Sequence, residues 1–144
     1  RHTQIPTRWI DQGASRALII ARTPYRELAG QIEVALKKHL ADKTNWQRML
    51  KNQIDQTTDL YAERDRIKDL LPENLQQYLE DKHKIMELSY PVGRFPVKVK
   101  SQTFDKSTDI AGKLSGIKGQ YLIFDDGRVL NIRKHNGYWV EVIV

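Results

Sequence analysis

Leu114–Val144 reads LSGIKGQYLIFDDGRVLNIRKHNGYWVEVIV, and this stretch decides the fold class. Two turn signals, Asp126-Gly127 and Asn136-Gly137, separate three apolar runs: Tyr121–Phe124, Val129–Ile132 and Tyr138–Val144. A two-residue type I′ turn needs positive φ at both central residues, which Asn, Asp and Gly tolerate. The spacing predicts an antiparallel meander closing the chain. Upstream, Val97 and Val99 alternate with Lys98 and Lys100, the period of a strand with one basic face. Ile110–Ile117 predicts another strand, in which Gly112, Gly116 and Gly119 permit bulges or sharp bends. Apolar residues fall on both faces of the last three strands, so one outer face must be covered. The expectation is a small antiparallel sheet or barrel over residues 84–144.

Toward the N-terminus the period changes from 2 to 3.6. Thr3-Gln4-Ile5-Pro6 predicts the start of a short helix, because proline suits the first helical turn, and Gly13 is its expected stop. Arg16–Arg22 (RALIIAR) has the length and composition of a buried strand. Thr23-Pro24 predicts the start of a second helix with Leu28, Ile32, Leu36 and Leu40 on one face. After a polar break at Asp42–Asn45, a third helix carries Trp46, Met49, Leu50 and Ile54. Residues 56–83 are charged, with sparse apolar positions and Pro72 inside, and read as a helical spacer. The expected class is α+β: a helix–strand–helix unit over 1–55, a helical spacer over 56–83 and a β domain over 84–144.

Composition narrows the function classes without choosing one. The 144 residues are 40% hydrophobic and 29% charged, which supports a packed core. No run approaches the ~20 apolar residues of a membrane span, so no membrane association is expected. There is no cysteine, which excludes a disulfide framework and a thiolate metal site in this stretch and fits a cytoplasmic protein. The net charge is +6 and unevenly spread. Residues 1–89 hold 15 Lys and Arg against 13 Asp and Glu, whereas residues 90–144 hold 9 against 5. That excess permits contact with a polyanion such as DNA or RNA, with Lys98, Lys100, Arg128, Arg133 and Lys134 as the basic side chains that would track a phosphate backbone.

Chemistry-bearing constellations are few. His2, His39, His83 and His135 show no His-to-His pairing at i+3 or i+4, so a metal site built from them is not expected, and no phosphate loop or nucleophile elbow occurs. Asp125 and Asp126 sit in turn sequence, where turn chemistry explains them. On residue spacing alone, Arg8 is a surface arginine and Glu33 an i,i+4 partner of Lys37.

Four strings carry a family resemblance: QIPTRWIDQGA (Gln4–Ala14), IEVALKKHL (Ile32–Leu40), DKTNW (Asp42–Trp46) and GIKGQYLIF with VLNIRKHNGY (Gly116–Tyr138). Together they resemble a bacterial family of unknown function, domain-of-unknown-function family 2797. Full-length members carry a Cys-rich, zinc-ribbon-like segment before the point where this chain starts, so the resemblance implies that Arg1 is a cut end and the chain a C-terminal part. The order of elements over residues 1–41 is in turn similar to the second half of a GIY-YIG nuclease domain. That likeness implies a catalytic arginine on the first helix, matching Arg8, and a glutamate on the next helix, matching Glu33, that holds one divalent ion, Mg²⁺. The tyrosine-bearing hairpin of such domains would precede Arg1. Three functions follow as expectations: a metal-dependent nuclease site completed by preceding residues, a non-catalytic nucleic-acid-binding module, or a protein-interaction module.

Overall fold

The computed structural model describes residues 5–41 and 43–144. In chain order the elements are α1 (Ile5–Asp11), β1 (Arg16–Ala17), α2 (Arg26–Leu36), α3 (Trp46–Leu50), α4 (Leu60–Lys68), α5 (Glu73–Gln76), β2 (Met86–Glu87), β3 (Lys100–Gln102), β4 (Leu114–Lys118), β5 (Tyr121–Phe124), β6 (Arg128–Asn131) and a 3-10 turn (Ile132–His135). The class is α+β, as the change of period predicts. The expected helix opening at Thr3 and Gln4, and Asp42 of the polar break, lie outside the described residues.

The elements form two compact units interleaved along the chain. One holds Arg1–Ala14, Trp46–Gln53 and Ser89–Val144, and the other Ser15–Asn45 and Ile54–Leu88. This differs from the consecutive division 1–55, 56–83 and 84–144. Periodicity reports local structure, whereas the units follow long-range packing.

In the helical unit, the apolar stripe of α2 finds its partners in α4 and α5. Ile32 and Leu36 bury with Ile67, Leu71 and Leu75, and Ile20, Ala21, Leu28, Leu40 and Leu79 pack around them. Residues 56–83 carry α4 and α5 with irregular stretches around them, and they supply half of this core. Asp59 starts α4 by accepting from the amides of Tyr61 and Ala62, satisfying two donors that the first turn leaves orphaned. The run Arg16–Arg22 is extended but pairs in two pieces. Arg16 and Ala17 face Glu87 and Met86 in antiparallel register, while Ala21 bridges to Leu79.

In the sheet unit, the strand order is β3-β6-β5-β4. β4, β5 and β6 form an antiparallel meander, and β3 adds to it parallel to β6. Ile123 and Val129 are register partners, both fully buried, and Leu50 of α3 closes over them. Trp46 stacks on Tyr121 with centroids 5.8 Å apart and planes 7° from parallel, which fixes α3 on the sheet.

Three turn and strand expectations change in detail. The Asp126-Gly127 signal does make a hairpin. Its loop is the three residues Asp125–Gly127, and Gly127 alone there has positive φ (+86), the pattern of a type I turn closed by a left-handed glycine. The strand expected at Val97–Lys100 is displaced to Lys100–Gln102. The strand expected at Tyr138–Val144 does not form. Asn131 ends β6 early because its side chain accepts from Lys134 N–H and caps a 3-10 turn instead of continuing the ladder. The buried ring of His135 then holds that turn: Nε2 accepts from Phe104 N–H (3.1 Å), so Nδ1 carries the proton and donates to Asn131 O (2.9 Å).

Candidate functional site

The site lies within the sheet unit and begins with α1. Its last turn closes with Gly13 N–H donating to Ile10 O (2.9 Å) and Ala14 N–H to Trp9 O (3.0 Å), Gly13 taking φ +70. Trp9 is half-buried. Thr7, Arg8, Asp11 and Gln12 fall on the neighbouring face at i, i+3 and i+4 spacing, with Arg8 exposed.

Two other segments meet that face. Gly119 and Gln120 form the two-residue loop between β4 and β5, since Lys118 and Tyr121 are register partners. Gly119 has φ +61, and a Cβ there would lie 2.9 Å from Asp11 O and 3.2 Å from Gly13 N. Only glycine allows both the turn and this close approach to the end of α1. Ile132 N–H donates to Gln120 O (2.9 Å), which ties the 3-10 turn to the same loop and brings Arg133 alongside.

The result is a cleft of about 410 Å³ lined by Thr7, Arg8, Asp11, Gln12, Gln120 and Arg133. Two guanidinium groups face one carboxylate, so the lining carries a net positive charge. Arg133 Nη1 stands 3.6 Å from Asp11 Oδ2, with both side chains well exposed. Such a pair contributes at most about 1 kcal/mol, so Arg133 can turn to an incoming anion at small cost. Guanidinium groups present planar forks of N–H donors that match phosphate and carboxylate oxygens, and the glutamine amides add neutral donors. Among the described residues, this lining offers binding groups for an anion.

The other residues singled out in the sequence divide clearly. Lys98, Lys100 and Lys134 are exposed. Arg128 is not available in the same way: its Nε donates to Asp126 Oδ2 (2.6 Å), its Nη2 to Ala111 O (2.6 Å), and the guanidinium lies 5.4 Å from the Phe124 ring centroid. The backbone N–H and guanidinium of Arg128 hold the Asp126 carboxyl below the usual carboxylate range, consistent with a fixed structural pair. Tyr121 is stacked on Trp46 against the core of the sheet unit, whereas Trp139 is fully exposed. Glu33 is exposed on α2, in the helical unit, so it and Arg8 belong to different units. Among the described residues no three His, Cys, Asp or Glu side chains gather as a metal site, and no helix is long and apolar enough to cross a membrane.

Sequence reading missed Thr7, Asp11, Gln12 and Gln120, which become a lining only through the Gly119 contact. It also missed Lys118. This lysine is 1% exposed, donates from Nζ to Asn52 Oδ1 (2.8 Å) and sits 5.3 Å and 5.2 Å from the ring centroids of Tyr90 and Phe95. Burial pushes its ammonium below the ordinary lysine range. The signal was present in β4, where Lys118 shares a face with the buried Gly116 two residues before it.

Compared with known proteins, the chain finds no match among curated proteins and none among solved structures. The family model described as protein of unknown function DUF2797 matches residues 1–140, nearly the whole of the α+β fold and every residue of the Arg8–Arg133 cleft, and the chain belongs to that family.

Proposed function

We propose that the protein associates with nucleic acid and holds a backbone phosphate in the cleft between Arg8 and Arg133. The single observation behind this reading is that two arginines from distant parts of the chain line one polar cleft with Gln12 and Gln120. The exposed Lys98, Lys100 and Lys134, on the same unit, extend the basic surface available to a phosphate backbone. Contacts of this kind position a polyanion without reading its sequence, and each neutralised phosphate releases condensed counterions.

The test is a titration of labelled single- and double-stranded DNA and RNA at several salt concentrations with the full-length protein. Affinity is expected to fall steeply with salt. Arg8→Ala and Arg133→Ala should each lower the slope of log affinity against log salt by about 1, because each removes about one phosphate contact. Arg8→Lys should weaken binding as well, since an ammonium cannot reproduce the bidentate fork. Affinity that ignores salt, or that neither substitution changes, removes the reading.

A second reading adds metal-dependent phosphodiester cleavage, with Glu33 holding one Mg²⁺ and Arg8 neutralising phosphate charge. It is favoured by the exposure of Arg8 in an anion-compatible cleft, as the likeness to GIY-YIG domains implies. Mg²⁺ takes one or two protein carboxylates and keeps several waters, a demand that the exposed Glu33 carboxylate fits as a single ligand. When bound, the ion would supply electrostatic stabilisation of developing charge. The chain's own contribution is to bind and orient the phosphate through Arg8 and Arg133.

A further inference from the structure

The sheet unit carries a strand-forming segment that joins no strand among the described residues. Tyr138–Val144 reads YWVEVIV, rich in β-branched and aromatic residues, with one charge and neither Gly nor Pro. Trp139, Val142 and Ile143 are each at least 80% exposed. Large apolar side chains left in water are stabilised when a partner buries them.

The sheet has two edges, and they differ. The outer edge of β4 is covered: Val92 bridges to Gly116, Ile117 N–H donates to Pro91 O (3.1 Å) and Gly93 N–H to Ser115 O (2.8 Å). A side chain at 116 would strike Pro91 O and Val92, so the covering segment is seated against bare backbone. The outer edge of β3 has no neighbouring strand among the described residues. Lys100 N–H points to Gly127 O on the β6 side (3.0 Å), so by the alternation of a strand the amides of Val99 and Ser101 point outward. An edge of this kind is a template for another chain.

We infer that Trp139–Val144 is an exchange strand that pairs antiparallel with the open β3 edge of a second copy of this chain, giving a reciprocal twofold dimer. Charge selects this occupant, because Glu141 meets the otherwise basic edge of Lys98 and Lys100 and the charges of strand and edge are opposite in sign. The root of the segment points the same way. Tyr138 Oη donates to Asp105 Oδ1, and its ring packs edge-on to buried His135, fixing the start of the segment just past the end of its own β3. From that anchor the segment leaves its own edge unpaired, and the same two surfaces on a second copy complement each other under a twofold operation. It uses none of the residues that line the Arg8–Arg133 cleft, although Lys98 and Lys100 belong to both surfaces.

The experiment measures mass in solution by light scattering and sedimentation over a range of concentrations, with the full-length protein. The wild type is expected at twice the monomer mass. Val142→Lys alters a side chain that is exposed in the single copy, so it should leave folding intact and return the mass to that of a monomer. Ser101→Pro removes an outward-facing N–H without touching the bonds to β6, since proline is tolerated at a sheet edge, and it should do the same. Far-UV circular dichroism confirms that both variants are folded. A monomeric wild type, whether its segment closes on its own edge or stays open, overturns the inference. So does a doubled mass that survives both substitutions.

Discussion

Replacing Gly119 by Ala tests how the cleft is built. The new residue must hold φ near +61, which costs an L-residue about 1–2 kcal/mol. Its methyl group would also stand 2.9 Å from Asp11 O and 3.2 Å from Gly13 N. Both neighbours are backbone atoms at the closed end of α1, so the helix end or the β4–β5 loop must move. Forcing a methyl group into such a packed contact costs about a further 1–3 kcal/mol. Gly137→Ala is the matched control: it also has positive φ (+89), but a methyl there meets nothing within 4 Å. Urea unfolding followed by tryptophan fluorescence should show Gly137→Ala losing about 1–2 kcal/mol and Gly119→Ala about 2–5 kcal/mol. The second readout is binding. On the proposed nucleic-acid reading, displacing α1 from Gln120 should weaken binding in the Gly119 variant and leave the Gly137 variant near wild type. Equal stability losses in the two variants would mean that the loop does not press on α1, and the account of how Arg8, Gln120 and Arg133 converge would fail.

Two further outcomes are expected. In Lys118→Met the buried stem is kept while the ammonium is lost, so stability at neutral pH should change by less than about 1.5 kcal/mol. The pH profile separates the variants: burial lowers the Lys118 pKa, so just below the ordinary lysine value of about 10.4 the unfolded wild type binds more protons than the folded form. Wild-type stability should therefore rise with pH through that window and fall as pH drops through it, and urea melts of Lys118→Met should lack this component. On the cleavage reading, Glu33→Gln in the full-length protein should abolish Mg²⁺-dependent cleavage of a labelled oligonucleotide while shifting stability by no more than about 0.5 kcal/mol. Cleavage that persists in this variant would make the carboxylate a surface group only.

What was legible in the sequence was what a few neighbouring residues decide. The β5–β6 hairpin followed from alternation and the Asp-Gly signal, the end of α1 from Gly13, and the apolar stripe of α2 from its four-residue repeat. Competition between a side chain and the ladder was harder to read. Asn131 could extend β6 or cap a turn, and the outcome was decided at long range, by Phe104 N–H supplying the ring of His135 with a donor. Charge was a poor guide to availability for a similar reason. Arg128 and Arg133 look alike in a count of basic residues, yet Asp126, the Ala111 carbonyl and the Phe124 ring capture the first, while the second makes a long, exposed pair with Asp11.

The same logic explains why the candidate site was half visible. Arg8 could be named from the resemblance and Arg133 from local charge. That they share a cleft depends on a glycine whose role appears only when α1 is brought against it, and on one backbone bond, Ile132 N–H to Gln120 O. Neither contact leaves a periodic trace in the sequence. Both are backbone contacts, so they fix where the two arginines attach to the frame and leave the guanidinium groups on exposed side chains. An anion site made this way should tolerate changes at Gln12 or Gln120, which only line it, better than any side chain at position 119, which would displace the frame that carries all its donors.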